Sequence, residues 1–230
     1  MKKILVVQSR SSPERIEGER ANFGAAVGAY AAVEFLSALD EKLAWSSPDE
    51  ILKDFGGVIF GGSSDFDFSG GRDENDPARI VSFIILSRVR NMISHALRDG
   101  LPLLGVCFGH QIIAEMRRGE VRNDPEQGKV GSYELALTEE GKKDKLFGGF
   151  PQKFFAQYDH KDSVTKLPEG ATVLASGDRC RFSALRYHDA AYTVQFHPEV
   201  EKLRYRGEYD YRESPYASSV ISLWIEKIVR

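Results

Sequence analysis

In the first half of the chain, short unbroken apolar runs alternate with longer stretches that repeat at helical spacing. Ile4–Val7 is such a run, the mark of a strand buried on both faces. Ala21–Leu39 is rich in alanine with apolar residues at helical spacing, which predicts a helix. Ser47-Pro48-Asp49-Glu50 opens a short helix, with a cap serine, a proline in the first turn and acids behind it. Gly57–Phe60 is the next strand. Pro77–Arg98 predicts a long helix that stops at Gly100. Leu101–Val106 is a strand, and Gln111–Arg117 the helix after it. This alternation predicts an α/β fold with a mostly parallel central sheet flanked by helices.

The second half changes character. Lys129–Leu137, Lys153–Gln157, Ala171–Ser176, Phe182–Tyr187 and Ala191–Phe196 are short strand candidates separated by turn residues. They predict a smaller antiparallel or mixed extension. Ser214-Pro215 opens a closing helix over Tyr216–Val229, with Val220, Leu223, Trp224 and Ile228 on its apolar side. Asp65–Asp76 is polar and charged and reads as an exposed loop. Its Ser69-Gly70-Gly71 follows no buried strand, so it is not read as a phosphate loop. There is no repeat and no linker, and residues 1–230 are expected to form one domain.

Composition narrows the function classes. Hydrophobic residues make up 42% and charged residues 28%, as in an ordinary soluble globular protein. A net charge of −3 gives no footing for a nucleic-acid or membrane surface. No segment approaches membrane-spanning length, and the run after Lys2-Lys3 is too short for a signal sequence. Two cysteines, Cys107 and Cys180, do not make a disulfide framework, and a free thiol fits the reducing cytoplasm. No Cys/His spacing suggests a metal site.

The chemistry gathers in two places. Leu103-Leu104-Gly105-Val106-Cys107-Phe108-Gly109-His110-Gln111 sends an apolar run into a Gly-x-Cys-x-Gly turn followed by a helical pattern. That is the form of a nucleophile elbow, with cysteine in place of serine. The turn sets the thiol at a helix N-terminus, where the dipole favours the thiolate. Far along the chain, Phe196-His197-Pro198-Glu199 follows another apolar run. Cys107, His197 and Glu199 complete a nucleophile, base and orienting carboxylate.

Gly-Val-Cys-Phe-Gly-His-Gln together with Gln-Phe-His-Pro-Glu resembles the triad-type (class I) glutamine amidotransferases. Gly61-Gly62 after a strand, and Asp159–Val164 ahead of Leu167-Pro168-Glu169-Gly170, fall in the expected order. The chain is most similar to stand-alone glutaminase domains of the GMP synthase type. The resemblance implies a flavodoxin-like open sheet and no cofactor. It implies that Cys107 attacks the side-chain amide of glutamine, with His197 as base and acid and Glu199 orienting the imidazole. The backbone N–H groups of Gly62 and Phe108 would form the oxyanion hole. Gln111, Asp159, Lys161 and Asp162 would help to bind substrate. Where the family pattern reads Gly-Gly-Pro, this chain has Ser63, which removes a rigid φ constraint beside the oxyanion loop. Neither His110 nor Cys180 is given a role. His160 is a second histidine within reach of the base function, but it lacks the partner carboxylate that His197 has.

Three functions remain open at this level. A glutaminase would release ammonia to an acceptor site on a separate synthetase polypeptide. A self-contained γ-glutamyl hydrolase or peptidase would use the same triad, with Asp65–Asp76 and Arg204–Arg212 shaping its pocket. A non-catalytic binding protein would have no need of the complete triad.

Overall fold

The chain begins with strand β1 (Lys3–Gln8), helix α1 (Pro13–Gly28) and strand β2 (Ala32–Ser37). Helix α2 (Pro48–Leu52) leads to β3 (Gly57–Phe60), and the long α3 (Pro77–Asp99) to β4 (Leu103–Val106). Helix α4 (Phe108–Met116) follows β4 directly. Then come β5 (Glu120–Asn123), β6 (Lys129–Leu137), α5 (Glu139–Lys143), β7 (Lys153–His160) and β8 (Asp162–Lys166). The chain closes with β9 (Thr172–Gly177), β10 (Cys180–His188), β11 (Ala191–Val194), α6 (Pro215–Ser218) and α7 (Val220–Lys227). The structure is a computed structural model that describes residues 2–63, 77–200 and 211–229. The Asp65–Asp76 segment, with Ser69-Gly70-Gly71, and most of Arg204–Arg212 lie outside the described residues.

Among the described residues, nine strands form one sheet in the order β2-β1-β3-β4-β11-β10-β9-β6-β7. The first five run parallel and the last four antiparallel. The parallel part has the flavodoxin-like order, in which sites form outside the carboxyl ends of the strands. The expected antiparallel extension is continuous with this sheet. Strands β5 and β8 pair separately as a two-stranded ribbon.

The strands are apolar on both sides because each face carries a helical layer. Ile4, Val6, Ile59, Leu104 and Val194 face Phe23, Val27, Val220 and Trp224 of α1 and α7. Leu5, Val7, Val58, Phe60 and Leu103 face Ile85, Val89, Met92 and Ile93 of α3 and Ile112 and Ile113 of α4.

Several expectations need correction. Ala21–Leu39 is not one helix. Helix α1 starts earlier, at Pro13 behind Ser12, and ends at Gly28, while Ala32–Ser37 is an edge strand in register with β1. Backbone pairing along Lys3–Gln8 outweighs the helical spacing of those residues. The closing helix breaks at Ser219 into α6 and α7. Strands β5 and β8 were not expected. One helical stretch, Arg79–Asp99 of α3, is long and apolar enough by length and composition to cross a membrane, contrary to expectation. Its Ile85, Val89, Met92, Ile93 and Ala96 pack on the sheet, as in a core helix.

Candidate active site

Cys107 sits between β4 and α4 with φ 51° and ψ −97°, left-handed backbone that is costly for a side-chain-bearing residue. Its N–H donates to the carbonyl of Val194 on β11 (2.8 Å), and its own carbonyl accepts from the N–H of Gln111 (3.1 Å). The turn is pinned from both sides. The flanking glycines make it possible. A Cβ on Gly109 would lie 2.3 Å from the carbonyl oxygen of Phe60, and one on Gly105 would lie 3.0 Å from Gly109. Only glycine at both positions lets α4 press onto β3 and β4, and this close approach presents the thiol at the strand ends.

Strand β11 lies beside β4 in parallel, Val194 opposite Val106, and three residues later it delivers His197. The His197 N–H donates to the carbonyl of Gln157 on β7 (2.8 Å). Nδ1 donates to Glu199 Oε1 at 2.7 Å, and both residues are buried. The Cys107 sulfur also acts on the imidazole and favours its charged form. Burial alone would lower its pKa. The Glu199 carboxylate and the Cys107 sulfur outweigh burial and hold it well above the ordinary histidine value. The three residues that the motifs suggested are thus brought together. This arrangement can keep an imidazolium beside a sulfur nucleophile.

Gly62 lies against this centre. A Cβ there would stand 3.0 Å from Arg10 Nη2, 3.2 Å from His197 Cε1 and 3.8 Å from Cys107 Cβ. Phe108 is the first residue of α4, so its N–H is one of those that no carbonyl within the helix can accept. A cavity of about 550 Å³ opens over Cys107 and His197. Gln111, Asp159, Lys161 and Asp162 all line it. Gln111 does so while tied to the fold: its Nε2 donates to the carbonyl of Asp162 (2.7 Å) and to Gln195 Oε1 (3.2 Å). Asp159 turns its carbonyl toward the Cys107 thiol, 3.9 Å away.

His160, His110 and the second cysteine are explained by packing. His160 lines the cavity, but burial pushes its pKa down to about 4 and Nδ1 lies 3.0 Å from the Asp162 carbonyl. His110 is fully buried, 2.8 Å from Thr193 Oγ1, with its pKa pushed down to about 3. The Cys180 thiol is buried in the core, which raises its pKa and makes it a poor nucleophile. Among the described residues no His/Cys/Asp/Glu group could hold a metal ion.

Three cavity residues carry charge that the motifs did not reveal: Arg10, Arg15 and Lys129. Arg10 lies two residues past β1, at the carboxyl edge of the sheet. Its position after a buried strand was the available signal. Lys129 is the first residue of β6 and gave none.

The fold and site together define a class: an open α/β sheet with a buried Cys-His-Glu set at the carboxyl ends of adjacent parallel strands. The glutamine amidotransferase class-I family model matches residues 75–209, more than half of the chain. The protein belongs to the class I glutamine amidotransferases. Among curated relatives, the glutamine-hydrolysing GMP synthase subunit of Methanocaldococcus jannaschii is 39% identical over 145 residues. That match covers 59% of this chain and 74% of the relative. The corresponding subunit of Archaeoglobus fulgidus is 32% identical over 156 residues, 67% of this chain and 72% of the relative. A crystal structure of a putative GMP synthase subunit from Thermoplasma acidophilum shares the fold. Its TM-score is 0.72 at 19% identity, covering 99% of this chain and 94% of that one. A glutamine amidotransferase from Thermotoga maritima superposes with a TM-score of 0.61 at 19% identity, covering 98% and 81%.

Proposed function

We propose that this protein is a glutaminase of the GMP synthase type that hydrolyses the side-chain amide of glutamine and passes ammonia to a separate synthetase subunit. The observation that carries this reading is Cys107 in its strained turn, beside the His197–Glu199 pair just past the end of the adjacent strand. The Cys107 sulfur attacks the amide carbon. The oxyanion of the tetrahedral intermediate takes hydrogen bonds from the N–H groups of Phe108 and Gly62. His197, held as imidazolium by Glu199, gives its proton to the leaving ammonia. It then takes a proton from the water that hydrolyses the γ-glutamyl thioester, leaving glutamate and free thiol. Gln111, Asp159, Lys161 and Asp162 bind the amino-acid end of the substrate from the cavity wall. No cofactor takes part. A free nucleophilic thiol suits the reducing cytoplasm.

The test is ammonia release from glutamine, alone and with GMP synthase-type synthetase subunits. Cys107→Ser is expected to abolish it with the fold intact. A glutamine-mimicking electrophile is expected to label Cys107 and spare Cys180, and labelling at Cys180 alone defeats the assignment. One observation favours a second reading. Arg10, Arg15, Lys129 and Lys161 outnumber the carboxylates Asp159 and Asp162 on the cavity wall and leave it net basic. That would suit a γ-glutamyl compound bearing a second carboxylate. Faster release from acidic γ-glutamyl peptides than from glutamine would decide for a γ-glutamyl hydrolase.

A further inference from the structure

The twin glycines of the loop after β3 are usually read as room for an oxyanion. Here they also receive an ion pair. A Cβ on Gly61 would lie 2.8 Å from Glu19 Oε1, and one on Gly62 would lie 3.0 Å from Arg10 Nη2. Arg10 Nε donates to Glu19 Oε1 at 3.0 Å. The guanidinium and carboxylate therefore lie along the backbone of Gly61-Gly62, with the arginine at the catalytic end. The pair is well buried, its side chains 15% and 2% exposed for Arg10 and Glu19.

Glu19 is itself fixed. Gln8 Nε2 donates to Glu19 Oε2 (3.1 Å), while Arg20 Nε donates to Gln8 Oε1 (3.0 Å). Burial pushes the Glu19 carboxyl upward, against the pull of Arg10 and Gln8. Burial also opposes the Arg10 charge, but Glu19, Cys107 and Glu199 all face it and keep it charged. A buried pair of this kind is a weak source of stability. Its placement beside the reacting groups asks for another account.

We propose that Arg10, oriented by Glu19, is a further functional residue of the active site: a fixed cation that stabilises the negative charge developing between Cys107 and the Gly62 loop. The proposal rests on the glutaminase reading for its substrate, but its electrostatic core does not. The guanidinium stays charged at every working pH. A Cβ on Gly62 would lie 3.0 Å from its Nη2, and the proposed function sets the Gly62 N–H at the same intermediate. A preoriented cation in a buried site lowers the energy of an anionic transition state without reorganising when the charge appears. Glu19 acts through Arg10 and is a positioning residue.

Arg10→Gln alone leaves Glu19 buried without its partner, so the informative variants are Arg10→Lys and the double variant Arg10→Gln/Glu19→Gln. Two readouts are taken on folded protein. The first is glutamine turnover. The double variant is expected to lose roughly 10- to 100-fold in kcat with KM changed little, and Arg10→Lys to keep most of the rate. The second is Cys107 alkylation by iodoacetate, an anion, relative to neutral iodoacetamide. A cation beside the thiol favours the anion, and the ratio is expected to fall about tenfold in the double variant. Loss of a merely structural contact would slow both reagents alike. Lys129, Arg15 and Lys161 also face the cavity and remain in every variant, so the double variant reports on the Arg10–Glu19 pair alone, and Arg10→Lys, which keeps the cation, is expected to keep the wild-type ratio. Unchanged kcat and an unchanged reagent ratio in the folded double variant overturn the proposal. If the wild type releases no ammonia from glutamine yet the ratio falls, the substrate reading fails and Arg10 keeps its role.

Discussion

Lys129 should cost the protein stability at neutral pH, and its removal should be stabilising. The side chain is 5% exposed. Its ammonium lies 3.9 Å from the ring centre of Tyr158 and 4.6 Å from that of Tyr133. Burial lowers its pKa from 10.5 to about 8, helped by Arg179 and opposed by Cys180 and Asp178. That difference corresponds to roughly 3 kcal/mol of lost stability wherever the lysine is charged in both states. The two ring faces return about 1–2 kcal/mol of cation–π attraction, which methionine forfeits. Lys129→Met is therefore expected to be more stable by about 1–2 kcal/mol at pH 7. The sign follows from proton counting. Between pH 8 and 10.5 the unfolded chain still binds the lysine proton and the native state has released it, so rising pH favours the native wild type. The advantage of the variant is then flat below about pH 8 and shrinks towards pH 10.5. Urea unfolding of both proteins from pH 7 to 10.5 measures the gap directly. A variant less stable than wild type at pH 7, or a gap that ignores pH, refutes the reasoning.

Further outcomes follow from the same geometry. Glu199→Gln is expected to lower turnover less than His197→Ala, because an amide still orients Nδ1 but cannot stabilise the imidazolium. Removing that carboxylate lowers the His197 pKa, so the alkaline limb of the activity profile should move to lower pH. A limb that stays in place argues against His197 as the proton donor. Gly109→Ala forces a Cβ to 2.3 Å from the Phe60 carbonyl, and thermal unfolding should show a loss of about 3 kcal/mol together with lost turnover. Near-wild-type stability there would mean that α4 can lift off β3 at little cost.

The legible parts of this protein were those where one local pattern answers to one environment. Continuous apolar runs such as Ile4–Val7 and Gly57–Phe60 have helices on both faces, so they read as buried strands without ambiguity. Gly105 and Gly109 marked the turn at Cys107 because a side chain at either position has nowhere to go. Ala32–Ser37 misled because an edge strand buries less: Val33 and Phe35 are only half-buried, and their spacing also suits a helix. Strand β5 was silent for the same reason, being mostly exposed and paired only with β8. At the site, the residues within two short motifs were legible and Arg10 was not. Its partner Glu19 lies on α1, and the glycines that receive the pair lie after β3. Only the fold brings three such distant segments into contact.

Ser63 is the position where this chain departs from the Gly-Gly-Pro pattern of its family, and it offers a test of how the oxyanion loop is controlled. It follows Gly62 directly and lines the cavity. Arg10, His197 and Cys107 crowd Gly62 from one side, while serine leaves the backbone beyond it more freedom than proline would. If the free chain divides its time between loop states that aim the Gly62 N–H well or badly, turnover scales with the well-aimed fraction. Replacing a residue by proline at a compatible site is worth about 0.4–1 kcal/mol of conformational restriction, which shifts that fraction by roughly 2- to 5-fold. Ser63→Pro is therefore expected to raise ammonia release from free glutamine by that factor. Stimulation by an added synthetase subunit should shrink in proportion, because partner and proline would act on the same equilibrium. A folded Ser63→Pro protein with an unchanged or lower basal rate would show that Arg10 and His197 already fix the loop. A raised basal rate with full stimulation retained would show that the partner acts elsewhere in the site.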